Sequence, residues 1–310
     1  VTTCDYNNDG RLDIFFTNGA EMPSLKKTSP KYWNRLYRNN GNDTFTDVTE
    51  AAGLAGSGYD MGVAVGDYDN DGKLDFHMTS YQKQWAILYR NVGRGLFDDV
   101  THLTGAGAST YNQVEWGNAI ADLDNDGRRD LFMVCGHLQD NVELWDDTAH
   151  YEASPIVLAN VGNGKFIDVS AQAGDGLKIK RSSRGLALDD LDGDGDLDVV
   201  ILNARREPTL LRNDTLRGNH WLGVQLQGTR SNRDGIGARL KVVSGDLILV
   251  DEIHSGRGYQ SHFGMQAHFG LGAKDKVDRI EVRWVGGGTT VVEGVKVDQL
   301  IRIKEASGPR

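Results

Sequence analysis

The stretch Asp67-Tyr-Asp-Asn-Asp-Gly-Lys-Leu-Asp75 decides the fold, because the chain carries it in four versions. It recurs as Asp122-Leu-Asp-Asn-Asp-Gly-Arg-Arg-Asp130, as Asp190-Leu-Asp-Gly-Asp-Gly-Asp-Leu-Asp198 and, upstream, as Asp5-Tyr-Asn-Asn-Asp-Gly-Arg-Leu-Asp13. Successive copies begin 62, 55 and 68 residues apart. Apolar runs follow each copy: Ile14-Phe-Phe16, Phe76-His-Met78, Leu131-Phe-Met-Val134 and Val199-Val-Ile-Leu202. The last three copies are preceded by Gly62-Val-Ala-Val65, Gly117-Asn-Ala-Ile120 and Gly185-Leu-Ala-Leu188. Short β-rich runs on both sides of an Asp/Gly turn spell a strand–loop–strand hairpin. Two further signals keep the same phase: Leu36-Tyr-Arg-Asn39, Leu88-Tyr-Arg-Asn91, Val157-Leu-Ala-Asn160 and Leu210-Leu-Arg-Asn213, then Phe45-Thr-Asp-Val-Thr49, Phe97-Asp-Asp-Val-Thr101 and Phe166-Ile-Asp-Val-Ser170. Four short strands per unit, repeated, are the arithmetic of a β-propeller blade.

The repeat predicts an all-β chain: a partial or truncated propeller of about four blades, followed by an antiparallel β-sandwich. Val1–Cys4 is expected as the opening strand of the first unit, and the fourth unit shows no Phe-x-Asp-Val-Thr strand before residue 217. Three full blades and most of a fourth make an arc, so upstream blades are expected to be missing from this chain.

Within each acidic loop, positions 1, 3, 5 and 9 carry side-chain oxygens. They are Asp5, Asn7, Asp9 and Asp13; Asp67, Asp69, Asp71 and Asp75; Asp122, Asp124, Asp126 and Asp130; and Asp190, Asp192, Asp194 and Asp198. Glycine at position 6 lets the chain reverse tightly. Two carboxylates about 4 Å apart repel by roughly 4 kcal/mol at an effective dielectric near 20. Oxygen ligands converging on one point suit a hard cation, and a flexible loop favours Ca²⁺ over Mg²⁺. About four calcium ions are therefore expected, clamping the hairpins. An EF-hand would need Glu at position 12, where this chain has Phe16, Met78, Met133 and Ile201.

Gly62-Val-Ala-Val-Gly-Asp67 running into its Asp loop resembles the FG-GAP/VCBS repeat, related to the calcium-bearing blades of integrin α propellers. The Gly-Ala-Pro of the integrin version is missing, since Phe-His-Met-Thr-Ser follows Asp75, which favours the VCBS branch. From His220 the pattern changes to period-2 alternation without Asp loops: Leu222, Val224 and Leu226, then Ile280, Val282 and Trp284, then Ile301 and Ile303. Such alternation buries one face of a strand and wets the other, and about seven strands suit a sandwich. Gly235-Ile-Gly-Ala-Arg239, Ser255-Gly-Arg-Gly-Tyr-Gln-Ser261, Phe269-Gly-Leu-Gly272 and Val282-Arg-Trp284 resemble the ASPIC/UnbV domain. Domains are expected at 1–216 and 217–310. The resemblance implies a secreted, extracellular or periplasmic protein, an interaction module and no established catalytic residues.

Composition narrows the function classes. The 310 residues carry a net charge of −10 and a sequence pI near 5.3, unlike the basic face of a nucleic-acid binder. No apolar run approaches the 18 residues of a membrane helix, so no membrane insertion is expected. Residues 217–310 hold 14 Lys+Arg against 10 Asp+Glu, a balance of +4, which leaves −14 on the repeats. The two cysteines, Cys4 and Cys135, lie two repeats apart and are expected unpaired. His254, His262 and His268 match no zinc-finger spacing and read as ordinary histidines.

Blade parity separates two faces. Acidic loops join strands one and two, so the loops joining strands two and three and those leading into the next blade lie on the opposite face, with the long insertions Gly19–Asn34 and His137–Pro155. Loops on a rigid scaffold concentrate function, and aromatic platforms suit sugars or peptide side chains. Tyr32, Trp33, Tyr81, Trp85, Tyr111, Trp116, Trp145 and Tyr151 are therefore the expected ligand residues. The leading expectation is a calcium-binding propeller module for cell adhesion or recognition of a protein or carbohydrate ligand. One alternative is a lyase or hydrolase with Asp60, Glu115 and Arg184 converging at the channel mouth. The other is a structural piece of a larger extracellular assembly.

Overall fold

The computed structural model describes residues 1–215 and 218–307; the domain boundary expected between 216 and 217 lies outside the described residues. Three four-stranded antiparallel sheets and one three-stranded sheet follow the repeat. Blade one is Thr2–Cys4, Asp13–Phe16, Arg35–Asn39 and Phe45–Asp47; blade two is Asp60–Gly66, Asp75–Ser80, Ile87–Gly93 and Leu96–Asp99. Blade three is Glu115–Ala121, Asp130–Cys135, Ile156–Asn160 and Phe166–Asp168; blade four is Ser183–Asp189, Asp198–Asn203 and Thr209–Leu211. The fourth blade thus lacks its last strand among the described residues, as the sequence implies. The first strand of each blade stands innermost, beside the first strand of the next. This close approach explains Gly62 and Gly117: a Cβ would lie 2.3 Å from the Trp116 carbonyl in the first case and 2.9 Å from the Arg184 carbonyl in the second.

The Phe-x-Asp-Val-Thr motif is shorter as a strand than its pattern predicts. In blade one it ends at Asp47, and Thr49–Ala52 turn helical. Asp47 Oδ1 accepts the Thr49 N–H (3.0 Å), while the Thr49 hydroxyl oxygen accepts the Leu36 N–H (2.9 Å). Asp99 with Thr101, and Asp168 with Ser170, repeat both bonds. The motif is a local backbone cap that competes with extending the strand.

Blades pack through their apolar faces. Blades one and two share Phe15, Leu36, Val63, Phe76 and Met78, and Phe15 stacks on Phe76 at 4.6 Å. Blades two and three share Ala64, Leu88, Ile120, Leu131 and Met133. Blades three and four share Phe132, Val134, Val157, Leu186, Val199 and Ile201. Both cysteines are buried and free, as expected.

The remaining strands form a sandwich of a three-stranded sheet (Gln266–Gly272, His220–Gln227, Gln299–Lys304) and a four-stranded sheet (Leu247–Glu252, Arg239–Ser244, Lys276–Arg283, Thr289–Lys296). Its core contains Leu222, Val224, Leu240, Phe269, Ile280, Val282 and Trp284. One pairing departs from the antiparallel expectation: His220–Gln227 runs parallel to Gln299–Lys304. Alternation reports which face of a strand is buried, not the direction of its neighbour, so this pairing was invisible in sequence.

The sandwich sits on the acidic-loop side of the arc. Arg239 Nη2 donates to the Gly72 carbonyl (2.6 Å), His268 Nε2 meets Asn125 Oδ1 (2.7 Å) and Asn219 Nδ2 donates to the Asp124 carbonyl (2.8 Å). Its loop from His254 to Gly264 enters the axis of the arc. There the Gly258 N–H donates to the Val63 carbonyl (3.0 Å), Ser261 Oγ accepts the Leu186 N–H (3.1 Å) and Tyr259 packs on Trp116 at 5.0 Å. Gly185 faces Ser261 of this loop, where Gly62 and Gly117 face a following blade.

Candidate metal loops and the opposite face

Each acidic loop is shaped by its own backbone. Position 4 has positive φ in all four copies (Asn8 62°, Asn70 56°, Asn125 57°, Gly193 80°), as does the position-6 glycine. Asparagine and glycine tolerate that left-handed turn. The position-1 carboxylate then collects loop N–H groups: Asp67 takes those of Asp71 (3.0 Å) and Gly72 (2.9 Å), and Asp122 those of Asp126 (3.1 Å) and Gly127 (2.8 Å).

Position 9 does different work. Asp75 accepts the N–H groups of Asn91 (2.8 Å) and Tyr68 (3.1 Å); Asp130 accepts those of Asn160 and Leu123, and Asp198 those of Asn213 and Leu191. The same asparagines reach back to the preceding blade: Asn91 Nδ2 donates to the Tyr6 carbonyl, Asn160 to that of Tyr68 and Asn213 to that of Leu123. The Tyr-Arg-Asn signal is therefore an inter-blade clip.

Three loops gather carboxylates as a cation would need. Asp67, Asp69 and Asp71 each offer an oxygen within 4.8 Å of the others, as do Asp122, Asp124 and Asp130, and Asp190, Asp192 and Asp194. Asp75, Asp126 and Asp198 lie outside those trios, as do Asp5, Asn7, Asp9 and Asp13 of the first loop. Burial pushes the Asp67 carboxyl up to about 6 and that of Asp130 to about 7, and raises Asp75 and Asp122 well above the usual range; neighbouring carboxylates add to each shift. Asp69 Oδ1 is buried without a hydrogen-bond partner. A set of half-buried carboxylates with an orphaned oxygen fits an oxygen-seeking dication.

On the opposite face the expected aromatics fall into groups. Tyr81 stands 5.7 Å from Tyr59 and 6.0 Å from His137, and His137 stands 6.1 Å from Trp145. Trp85 meets Tyr111 at 4.9 Å and His102 at 5.6 Å. Tyr32 and Trp33 lie apart on the first insertion, beside Lys31 and Arg35. Tyr151 serves the second insertion through its backbone, its N–H bonding Glu143 and its carbonyl His137. Trp116 corrects the surface expectation: it is buried, its Nε1 donates to the Gly136 carbonyl (2.7 Å), and Arg184 covers its ring at 4.2 Å. Sequence reasoning missed Tyr59, His102, His137 and Tyr259. Tyr259 comes from the sandwich, far along the chain, and no local pattern could have placed it here.

A cavity of about 760 Å³ opens on this face between the first insertion and blade two, with Lys26, Lys83, Trp85 and His102 among its walls. The residues expected at a catalytic mouth are each tied into the surrounding backbone or side chains. Asp60 is buried, bonded by Asn34 (2.8 Å) and paired with Lys27 (3.5 Å), and burial pushes it up to about 6. Lys27 in turn gathers the carbonyls of Asn18, Gly19 and Tyr32, which anchors the insertion. Glu115 is buried and accepts the Ser80 N–H (3.0 Å). Arg184 donates to the carbonyls of Ser183 and His137.

The FG-GAP-like repeat family matches residues 5–78 and 68–133, and the ASPIC and UnbV family matches residues 228–310. The chain is an FG-GAP-repeat protein with a C-terminal ASPIC and UnbV domain. It is similar to cartilage acidic protein 1 of Xenopus tropicalis, 27% identical over 293 residues that span 90% of this chain and 40% of that protein. The Mus musculus protein of the same name is 27% identical over 223 residues, 66% of this chain and 30% of its own length. The chain thus spans less than half the length of these relatives. Among solved structures, an Agrocybe aegerita lectin that recognises non-reducing terminal N-acetylglucosamine aligns with a TM-score of 0.38 at 21% identity, covering 69% of this chain and 48% of its own. No helix of the described residues is long and apolar enough to cross a membrane.

Proposed function

We propose that this FG-GAP-repeat chain is an extracellular or periplasmic recognition module. Calcium clamps its blade hairpins, and it holds a protein or carbohydrate ligand on the face opposite the acidic loops, in adhesion or ligand capture. The observation that carries the calcium reading is the recurrence of a carboxylate trio, within 4.8 Å, at equivalent loops of three blades. Asp67, Asp69 and Asp71, Asp122, Asp124 and Asp130, and Asp190, Asp192 and Asp194 would hold the ions. A bound dication would neutralise carboxylates that burial otherwise penalises. The aromatic groups and the cavity beside Trp85 support the ligand face, because exposed rings next to lysines suit a sugar ring or a polar peptide. Isothermal titration of the chelator-stripped protein with calcium tests the first part; no heat and no bound ion would end it. For the second part, Trp85→Ala and Trp145→Ala should abolish retention on a glycan or matrix-protein array while leaving the melting curve unchanged.

The open flanks of the arc favour a second reading, as a piece of a larger assembly. Phe16 of blade one is exposed where its counterpart Met78 in blade two is buried, and blade four is bare on its far side. Further blades of the same kind would cover both flanks. Loss of dye-binding apolar surface in a longer polypeptide, relative to this one, would support that reading.

A further inference from the structure

The first acidic loop differs from the other three, and a residue of the sandwich accounts for the difference. We infer that the Arg283 guanidinium occupies the cation position of this loop, so that the chain holds three calcium ions and supplies the fourth positive charge itself.

Four observations converge. Among the described residues, the first loop gathers no trio of carboxylate oxygens within 4.8 Å, whereas the other three do. Its position 3 is the neutral Asn7, whose Oδ1 accepts the Asp9 N–H (3.0 Å) and whose Nδ2 donates to Asp9 Oδ2 (3.0 Å), so one oxygen and the charge of the other loops' carboxylate are gone. Arg283 Nη2 bonds and pairs with Asp5 Oδ2, and its Nη1 donates to the Asn8 carbonyl (3.2 Å), spanning positions 1 and 4. The Asp5 N–H donates to Glu252 Oε2 (3.0 Å), a second tie from the sandwich to the same residue.

The chemistry is self-consistent. A dication needs six to eight oxygens, and the first loop has lost a carboxylate at position 3. A guanidinium asks less: it binds through N–H groups directed at a carboxylate and a carbonyl, and it carries a single charge that never titrates. Arg11 pairs with Asp9 as Lys73 does with Asp71 and Arg128 with Asp126, so the charge that sets the first loop apart is Arg283 on its position-1 carboxylate. Arg239 sits across from Arg283 in the sheet and reaches the second loop only through the Gly72 carbonyl; the cations on that loop, Arg90 on Asp69 and Asp71 and Lys73 on Asp71, come from the blade itself and leave its position-1 carboxylate, Asp67, to the loop N–H groups. The domain that covers the acidic face thereby becomes part of its charge balance.

The inference rests on calcium binding at the other three loops, and one measurement separates the two. The whole chain is dialysed to equilibrium against calcium, and bound ions are counted by atomic emission. Three ions per chain are expected, unchanged in Asp5→Asn, and four in the double variant Arg283→Gln with Asn7→Asp. Four ions in the wild type, falling to three in Asp5→Asn, would overturn the inference and leave the calcium reading standing. A double variant that melts like the wild type and still binds three would show that Arg283 does not exclude the ion. If the double variant melts early, the Asp5→Asn count decides alone. No bound ion in the wild type would end both.

Discussion

Blades three and four turn the same four positions toward whatever comes next, and the outcomes are opposite. Counted from the acidic loops, Ala119, Phe132, Val134 and Val157 of blade three correspond to Ala187, Val200, Leu202 and Leu210 of blade four. Phe132, Val134 and Val157 are 3%, 0% and 6% exposed beneath blade four, whereas Val200, Leu202 and Leu210 are 36%, 57% and 64% exposed. Side-chain chemistry and strand register are alike; the difference is a neighbour. Burial in a repeat protein belongs to the interface between units rather than to the unit, which is why such proteins behave as nearest-neighbour stacks.

The largest expected effect tests that comparison directly. Phe132→Ala should cost about 3–5 kcal/mol by urea unfolding, the usual range for an emptied buried aromatic site. Val200→Ala, the same position one blade on, should stay within about 0.5 kcal/mol. A cost above about 2 kcal/mol at Val200 would break the comparison, because the flank would then be covered in solution.

Calcium sharpens it next. At 100 times Kd, each ion should add roughly 2.7 kcal/mol, so chelation should lower the Tm clearly and calcium should restore it better than magnesium. The trio of blade two lies in a buried to half-buried loop and that of blade four in an exposed one. During a chelator titration followed by hydrogen exchange, the blade-four loop should therefore lose protection first. Simultaneous loss at all loops would contradict the idea that a missing neighbour weakens the last clamp.

The axial loop provides a covered region that titrates. Burial lowers His254 to about 3, with Arg257 adding to the shift and Asp251 opposing it, and its Nδ1 meets the Thr3 carbonyl at 3.2 Å. Above pH 6.5 the ring is neutral folded or unfolded, so it contributes no pH dependence there. As pH falls below 6.5 only the unfolded chain takes the proton, and stability is lost progressively toward pH 3. At pH 5 the loss is roughly 2 kcal/mol. Glu252, pushed up to about 8 by burial, has the opposite sign, since its folded carboxyl keeps a proton that the unfolded one releases. Comparing wild type with His254→Asn at pH 7 and pH 5 cancels that contribution. Equal pH slopes for the two proteins would show that the loop leaves the axis in acid.

The smallest effect is on stability at the opposite face. Trp85→Ala should change the unfolding free energy by no more than about 1 kcal/mol, since the residue is 40% exposed and its main ring contact is with Tyr111 at 4.9 Å. A larger loss would assign Trp85 to packing of the insertions and remove it from the ligand surface.

Much of this was legible in the residues themselves. The blade strands, the acidic turns and the incomplete fourth unit are local patterns: period-2 burial, left-handed turn positions and capping motifs act over fewer than ten residues. Even so, the spacing did not show a second duty of position 9: Asp75, Asp130 and Asp198 each accept two backbone N–H groups, from strand three and position 2. Asn213 likewise showed in sequence only as the end of a repeated strand signal, yet its Nδ2 is committed to the Leu123 and Leu197 carbonyls. A side chain's oxygens and N–H groups are allotted by whichever partner arrives, and the spacing of a motif does not name that partner.

By itself, then, the sequence determined the repeat, the hairpins and their acidic turns, and the alternating sandwich strands. All of these follow from stereochemistry within a strand or a turn. Only the tertiary structure decided that the sandwich covers the acidic loops, that its loop occupies the axis, and that Trp116 lies buried beneath Arg184 instead of facing a ligand. Arg283 meets Asp5 across 278 residues of chain. Nothing short-range encodes such a meeting. It arises where a domain of net charge +4 packs on a repeat region of net charge −14, an arrangement electrostatics favours, and packing then selects which guanidinium reaches which carboxylate.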